Sequence, residues 1–264
     1  MQRTTWWVLL ISILVGAAAA YFYWQHSRRP VMPPQPAITA APPAAVSAAP
    51  AILHPLEANE AQPLPALGES DAAMAETLAE LLGGKSSMES LYPDLMIRRI
   101  VATIDNLPRK KAPMRMMPVK PVPQPFARAG AGGNMVISPG NSTRYAAYVL
   151  VAQAVDVRKL VDVYIRLYPL FQKAYEELGF PKAYFNDRLV ETLDHLLDTP
   201  DIKGPIKLTQ PKVMYEFADP DLEARSAGQK IMIRMGSENA AKVKAKLREI
   251  RQEVTRRELK LKRP

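Results

Sequence analysis

Residues 6–24, which begin with Trp6 and end with Trp24, carry no charged side chain and constrain the chain more than any other stretch. As an α-helix, these nineteen residues would span about 28 Å, close to the roughly 30 Å hydrocarbon core of a bilayer. Aromatic side chains stand at both ends of the stretch, as they do at the two interfaces of membrane-spanning helices. We therefore expect residues 1–29 to form an N-terminal transmembrane helix.

A cleaved signal peptide is the alternative interpretation of the same residues. Arg3, an apolar run and the small residues from Gly16 to Ala20 have the order of a signal peptide and its cleavage site. The aromatic cluster at 21–24, followed by Arg28 and Arg29, is more typical of a membrane interface than of a mature N-terminus. These observations favour an uncleaved single-pass anchor.

The sequence contains opposing signals for the orientation of that anchor in the membrane. Arg28 and Arg29 outnumber Arg3, so a count of flanking positive charges places the C-terminal domain in the cytoplasm. Long C-terminal domains, however, cross membranes largely regardless of such charges. We expect export, with the anchor in a bacterial inner membrane and the domain in the periplasm.

Residues 30–66 form a Pro/Ala-rich stretch that predicts a disordered linker. Ten prolines and eleven alanines stand among its residues, and Glu57 and Glu60 are its charges. Such a composition does not build a core and favours extended polyproline conformation, so the linker would reach at most about 115 Å at roughly 3.1 Å per residue.

Residues 67–264 predict one mainly α domain. Apolar residues recur at helical spacing through most of it, and Asp156 is suited to cap a long helix that contains Pro169, where a kink or break is expected. Partial alternation at 206–217 predicts a minor β-hairpin. Residues 108–142, with seven prolines and a glycine-rich run, predict a long irregular loop. The predicted fold is a helical domain with a minor hairpin, preceded by the transmembrane helix and linker.

The chain has no cysteine and a formal net charge of +9. The first fact excludes disulfides, thiol nucleophiles and cysteine-ligated metals. The second comes largely from the end of the chain, where residues 242–264 hold ten Lys or Arg against three Glu. The sequence thus describes a nearly neutral domain with a basic tail.

The densest set of chemically competent residues follows Phe185. Asp187, Glu191 and His195 are spaced four apart, with Asp194 beside them, so a helix would place them on one surface. General acid–base chemistry by Glu191, Asp194 and His195 is one interpretation, and an ion-paired, solvated face is the more conservative one. The spacing lacks the Glu-x-x-His pattern of dinuclear sites. We predict no metal site and no cofactor, and expect a protein that is not an enzyme.

Two further groups of residues suggest an interaction surface. Tyr164 and Tyr168 fall on one helical side and would either fill the core or line a groove for a peptide or glycan. Lys246, Arg248 and Arg251 belong to the basic C-terminal helix. The cations of this helix would either form a solvated face or contact anionic lipid headgroups or polymers. A contact to nucleic acid is a third possibility, which is disfavoured because no aromatic stacking platform accompanies the helix.

Several segments together carry a family resemblance: IRRIVATIDNLPR, ISPGNSTRY, VYIRLYPLFQKAYEELGFP, YFNDRLVETLDHLLDTP, QPKVMYEFADPDLE, SAGQKIMIRMG and ENAAKVKAKLREIR. From Leu95 onward the chain resembles the bacterial family of unknown function numbered 3014. The resemblance implies the layout of anchor, linker and one C-terminal domain. It implies no activity, so no functional residues follow from it.

The sequence therefore predicts a single-pass membrane protein that presents an α-helical binding or scaffolding domain in the bacterial cell envelope. Its partners would be the membrane, through residues 6–24, and a protein or envelope polymer. One alternative is an envelope hydrolase that uses Glu191 and Asp194. Another is a cytoplasm-facing protein whose basic tail contacts nucleic acid or lipid headgroups.

Overall fold

The computed structural model of the chain describes residues 51–56 and 63–261. The predicted transmembrane helix and most of the predicted linker lie outside these residues. Within them the chain is mainly helical, and the α-helices are α1 (Asp71–Leu81), α2 (Met96–Asn106), α3 (Ala146–Ala154), α4 (Val157–Glu177), α5 (Phe185–Leu197), α6 (Pro220–Glu223), α7 (Ala227–Arg234) and α8 (Ser237–Leu261). Short 3-10 turns at Leu67–Glu69, Lys85–Ser90, Met114–Met116, Gly132–Asn134 and Pro139–Tyr145 connect several of them.

Two antiparallel hairpins complete the described fold. Strand β3 (Leu208–Thr209) pairs with β4 (Glu216–Phe217), which confirms the hairpin predicted at 206–217. Strand β1 (Arg128–Ala129) pairs with β2 (Val136–Ile137), and a bridge from Val136 to Lys207 joins the two hairpins. The irregular loop predicted at 108–142 thus contains one short hairpin, which the bridge at Val136 connects to the hairpin at 206–217.

The largest apolar cluster lies where α1, α2, α4 and the start of α5 meet. Phe185, which has no exposed surface, stacks against Phe171 with ring centroids 5.9 Å apart. Met96, Ile97 and Val101 bring the apolar face of α2 onto these rings. Burying such a set of side chains stabilises the domain, since each contributes roughly 1.5–3 kcal/mol.

The long C-terminal helix α8 packs across α3, α4 and α5. Val161, Val190 and Val254, one from each of α4, α5 and α8, meet in a buried seam at 1–2% exposure. Ile250 packs against the same seam. The apolar stripe predicted from the spacing along this helix therefore includes residues that hold it against the domain.

The structure also tests two predictions about α4. Oδ1 of Asp156 accepts hydrogen bonds from the backbone N–H groups of Arg158 and Lys159 at 2.9 and 3.1 Å, so the predicted cap is confirmed. Of the kink or break predicted at Pro169, the break does not occur, because α4 continues through it to Glu177. Pro169 is exposed, so water can hydrate the carbonyl that its missing N–H leaves unpaired.

Residues 51–56, which belong to the predicted disordered linker, lie against the helices. Leu56 is 9% exposed and belongs to the largest apolar cluster. We call residues 51–56 the docked segment. For this part of the linker the prediction of disorder is wrong, because hydrogen-bond partners far along the chain fix its backbone.

Candidate functional site

The three candidate catalytic side chains of α5 have three different neighbours. The carboxylate of Glu191 accepts a hydrogen bond of 2.8 Å from an arginine of its own helix and is 64% exposed. The carboxylate of Asp194 accepts hydrogen bonds from both Nε and Nη2 of Arg251 on α8. Nε2 of His195 lies 2.8 Å from Oγ of Ser226. The three groups share a helix, but each is engaged by a different partner.

The arginine beside Glu191 is Arg188, and it also binds a buried carboxylate. Asp105 is 5% exposed and accepts hydrogen bonds from Nε of Arg188 at 3.1 Å and Nη2 of Arg109 at 2.7 Å. Burial opposes the charge of Arg188, but the hydrogen bond to Glu191 and the charge of Asp105 hold its pKa above the ordinary value. This network joins α2 to α5, and its geometry is that of a structural ion-pair cluster.

The side chains of His195 and Ser226 are as close as a catalytic base and its nucleophile, but a substrate cannot reach the serine. Ser226 is 6% exposed, and its Oγ accepts a hydrogen bond from the N–H of Gln229 at 3.2 Å as the N-cap of α7. Nε2 of Gln229 in turn donates to the carbonyl of His195 at 3.0 Å. The pair therefore connects α5 to α7, and the serine is closed to a substrate.

Tyr164 and Tyr168 lie in the aromatic core. Tyr168 is 4% exposed, so the groove interpretation is wrong for this ring. The ring of Tyr164 packs at 5.3 Å from Phe171, and its hydroxyl donates to Oδ1 of Asn186 at 3.1 Å. Burial raises the pKa of both hydroxyls. Both tyrosines act as core residues whose hydroxyl groups face the start of α5.

The three predicted cations of α8 differ in whether their charged groups bind partners within the domain. Nζ of Lys246 donates to the carbonyl of Val155 at 3.0 Å and pairs with Glu249, also at 3.0 Å. Arg251 is paired with Asp194. Arg248 is exposed and lines a cavity instead. Of these three predicted cations, Arg248 is therefore the one that is placed to contact a partner at the surface.

Glu253 binds two further cations of α8. Hydrogen bonds from Arg256 lower its pKa to about 2; burial opposes this shift, and Arg257 adds to it. Arg257 also pairs with Asp162 on α4. Much of the positive charge of the tail is thus neutralised locally or used to dock α8, which leaves less of it for an external polyanion.

The concave region of greatest interest lies beside the first turns of α8. Two adjoining cavities of about 220 and 770 Å³ share part of their wall and together form what we call the α8 groove. Apolar side chains of three distant segments line it, including Ile137, Ile206 and Ile233. Mostly apolar concave surfaces of this size are the ordinary form of binding sites.

Charged side chains also line the α8 groove, and cations outnumber carboxylates among them. The cations are Lys203, Arg234, Lys244 and Arg248, and the carboxylates are Asp201 and Glu238. Lys244 is turned inward to the carbonyl of Thr199. Lys203 and Arg248 are exposed. An anionic group on an otherwise apolar partner would therefore meet favourable charge here.

Sequence reasoning found Arg248 but none of the other residues of the α8 groove. The groove is assembled from the stretches 136–142, 200–206 and 232–248. None of these stretches has a catalytic or ligand-binding motif of its own. The pairing of the two hairpins brings the first two together, and nothing short-range in the sequence signals that pairing.

Two features are absent from the part of the chain that the structure describes. Among residues 51–56 and 63–261, no group of three or more His, Asp or Glu side chains is placed to hold a metal ion. In the same part of the chain, none of the helices combines the length and apolarity that a membrane span requires.

The comparisons with known proteins assign a family. The family described as "Protein of unknown function (DUF3014)" matches residues 96–251, which is more than half of the chain. No curated protein and no solved structure matches the chain. The chain belongs to this family.

Proposed function

We propose that this family member is a single-pass protein of a bacterial inner membrane whose helical domain binds a partner in the periplasm. The anchor is argued from the uncharged residues 6–24, and the binding role from the domain. The observation that carries the binding role is the α8 groove, because it combines an apolar lining with exposed cations. The partner is a protein or envelope polymer that offers apolar surface together with anionic groups.

A catalytic role receives less support from the geometry. Glu191, Asp194 and His195 are each engaged by a different element, and Ser226 is buried. Each of these groups is thus already engaged by a partner within the domain, which favours binding over general acid–base hydrolysis.

The test of the binding role uses the full chain in native membranes. A photo-crosslinking residue in place of Lys203 should give a discrete cross-linked product, whereas the same residue in place of Lys182 should not. Both lysines are exposed, but Lys182 lies in the turn between α4 and α5. Adding Arg248→Glu should reduce the yield by about fivefold, since one rim charge contributes about 1 kcal/mol. Equal products from both positions would contradict the groove as the binding surface.

The location is tested separately with reporters fused to the C-terminus. Alkaline phosphatase should be active, because it folds only after export. A fluorescent cytoplasmic fusion without phosphatase activity would instead favour the alternative that Arg28 and Arg29 suggest, a cytoplasm-facing domain whose basic helix contacts lipid headgroups or nucleic acid.

A further inference from the structure

The docked segment (residues 51–56) crosses the start of α5 with its backbone facing one carboxylate. The N–H of Leu53 lies 3.1 Å from Oδ2 of Asp187, and the N–H of His54 lies 2.7 Å from Oδ1. Two successive backbone donors thus share the two oxygens of a single side chain. Hydrogen bonds to a charged acceptor are about twice as strong as those between neutral groups.

Two neighbours of Asp187 bind the remainder of the segment. Nδ2 of Asn186 donates to the carbonyl of His54 at 2.8 Å. The hydroxyl of Tyr184 accepts from the N–H of Leu56 at 2.8 Å and lies 3.2 Å from its carbonyl. The residue between His54 and Leu56 is a proline, which has no N–H to satisfy.

These contacts come from side chains that the core holds in place. Asn186 has no exposed surface, and its Oδ1 accepts from the hydroxyl of Tyr164 at 3.1 Å. The ring of Tyr184 packs at 5.3 Å from that of Tyr168. Polar groups fixed in this way lose little conformational freedom when they bind a ligand.

The side chains of the segment contribute unequally. Leu56 is 9% exposed in the apolar cluster, whereas Ile52 and Leu53 are 54% and 64% exposed. The backbone of the segment is therefore the main feature recognised, with one leucine as an apolar anchor. Peptide recognition commonly combines main-chain hydrogen bonds with one or a few side-chain pockets.

We propose that Tyr184, Asn186 and Asp187 form a peptide-binding site whose ligand is a segment that bends just before a proline followed by a leucine, and that this chain's own residues 52–56 occupy it. Occupation in cis fixes the point at which the Pro/Ala-rich stretch joins the domain. It also excludes competing peptides, because a tethered ligand has an effective concentration of the order of millimolar. The site uses neither the membrane anchor nor the α8 groove.

The experiment uses the full-length chain in detergent solution and a fluorescent peptide with the sequence AILHPL, which is that of residues 51–56. The variant L53P/H54P removes both N–H donors to Asp187 and should vacate the site. The peptide should then bind this variant at least about tenfold more tightly than it binds the native chain. Adding Asp187→Ala should abolish that binding.

The matched control is I52A/L53A, which truncates two exposed side chains and keeps every backbone donor. It should behave as the native chain does. Equal peptide binding by the native chain and L53P/H54P, or undiminished binding after Asp187→Ala, would overturn the proposal.

A second measurement does not depend on the variants folding. In the native chain, amide hydrogen exchange at Leu53, His54 and Leu56 should be slowed by about tenfold or more relative to an unstructured peptide. Exchange at the unstructured rate for all three amides would show that the site is vacant and would overturn the proposal.

Discussion

The docked segment (51–56) and the proline-rich loop (108–142) both lie against the helices, but the domain holds them by different means. Each is bound by one asparagine that has no exposed surface, Asn186 for the segment and Asn141 for the loop, but their other partners differ. In both places a side-chain amide replaces the backbone partners that a strand or helix would have supplied.

Asn141 belongs to the loop itself and connects it in several directions. Its Oδ1 accepts from the N–H of Ala127 at 3.1 Å and from Nη1 of Arg144 at 2.9 Å. Its Nδ2 donates to the carbonyl of Arg234 at 2.8 Å. The loop is also joined to β3 through a backbone hydrogen bond of 2.8 Å from the N–H of Leu208 to the carbonyl of Met135. It is therefore an integral part of the fold.

Among the described residues, the docked segment has no backbone pairing like that of the loop with β3. Side chains from one short stretch, 184–187, bind its backbone, and Leu56 is its buried anchor. If those contacts are lost, water can hydrate the freed groups at the domain surface. The comparison indicates that the loop should unfold with the domain, whereas the segment should detach from a domain that stays folded.

Replacing the loop's asparagine should therefore have the largest effect. Asn141→Ala leaves the N–H of Ala127 and the carbonyl of Arg234 without this partner in a partly buried setting. We expect the free energy of unfolding to fall by about 3 kcal/mol, measured by urea denaturation. Asn134→Ala, in the exposed turn between β1 and β2, is the control and should change it by less than about 0.5 kcal/mol. A loss below about 1 kcal/mol for Asn141→Ala would contradict an integral loop.

The corresponding change at the docked segment should cost less. Asn186→Ala removes the donor to the carbonyl of His54 and the acceptor for the hydroxyl of Tyr164. We expect about 1.5 kcal/mol in the same denaturation experiment, because the freed carbonyl regains water when the segment detaches. The control Leu53→Ala truncates an exposed side chain and should stay within about 0.5 kcal/mol of the native chain. A loss as large as that of Asn141→Ala would make the segment as integral as the loop.

The sequence predicts the features of this fold that depend on neighbouring residues. The hairpin at 206–217 follows from local alternation, and the cap at Asp156 from residues two and three positions away. The attachments of the two proline-containing segments could not be predicted in the same way. Asn186 contacts His54 from 132 positions away, and Asn141 contacts Arg234 from 93 positions away.

The candidate site shows the same limit. Helical spacing correctly places Glu191, Asp194 and His195 on one helix, but their partners lie elsewhere in the chain. Asp194 meets Arg251 across 57 positions, and His195 meets Ser226 across 31. A pattern on one helix reveals which groups share that helix, whereas tertiary packing decides which charges face them.

Helix α8 is attached to the rest of the domain by a third means, ionic contacts. It therefore extends the comparison between the docked segment and the loop. Glu253 bonds to Arg256 and Arg257, and Arg257 also reaches Asp162. The pKa of Glu253 is lowered to about 2, below the roughly 4.3 of an unfolded chain. As the pH falls, the unfolded state therefore binds its proton first. The stability that this carboxylate contributes is complete above about pH 4.3 and is lost as the pH falls toward 2.

Glu253→Gln should accordingly lower the free energy of unfolding by about 1 kcal/mol at pH 7, since the two arginines are partly exposed and screened by water. The difference between variant and native chain should shrink as the pH is lowered from 5 to about 2.5. Urea denaturation at several pH values measures both effects. Glu249→Gln, a more exposed carboxylate of the same helix, is the control and should stay within about 0.5 kcal/mol. A difference for Glu253→Gln that does not change with pH would assign its effect to packing instead of charge, and would contradict an ionic attachment of α8.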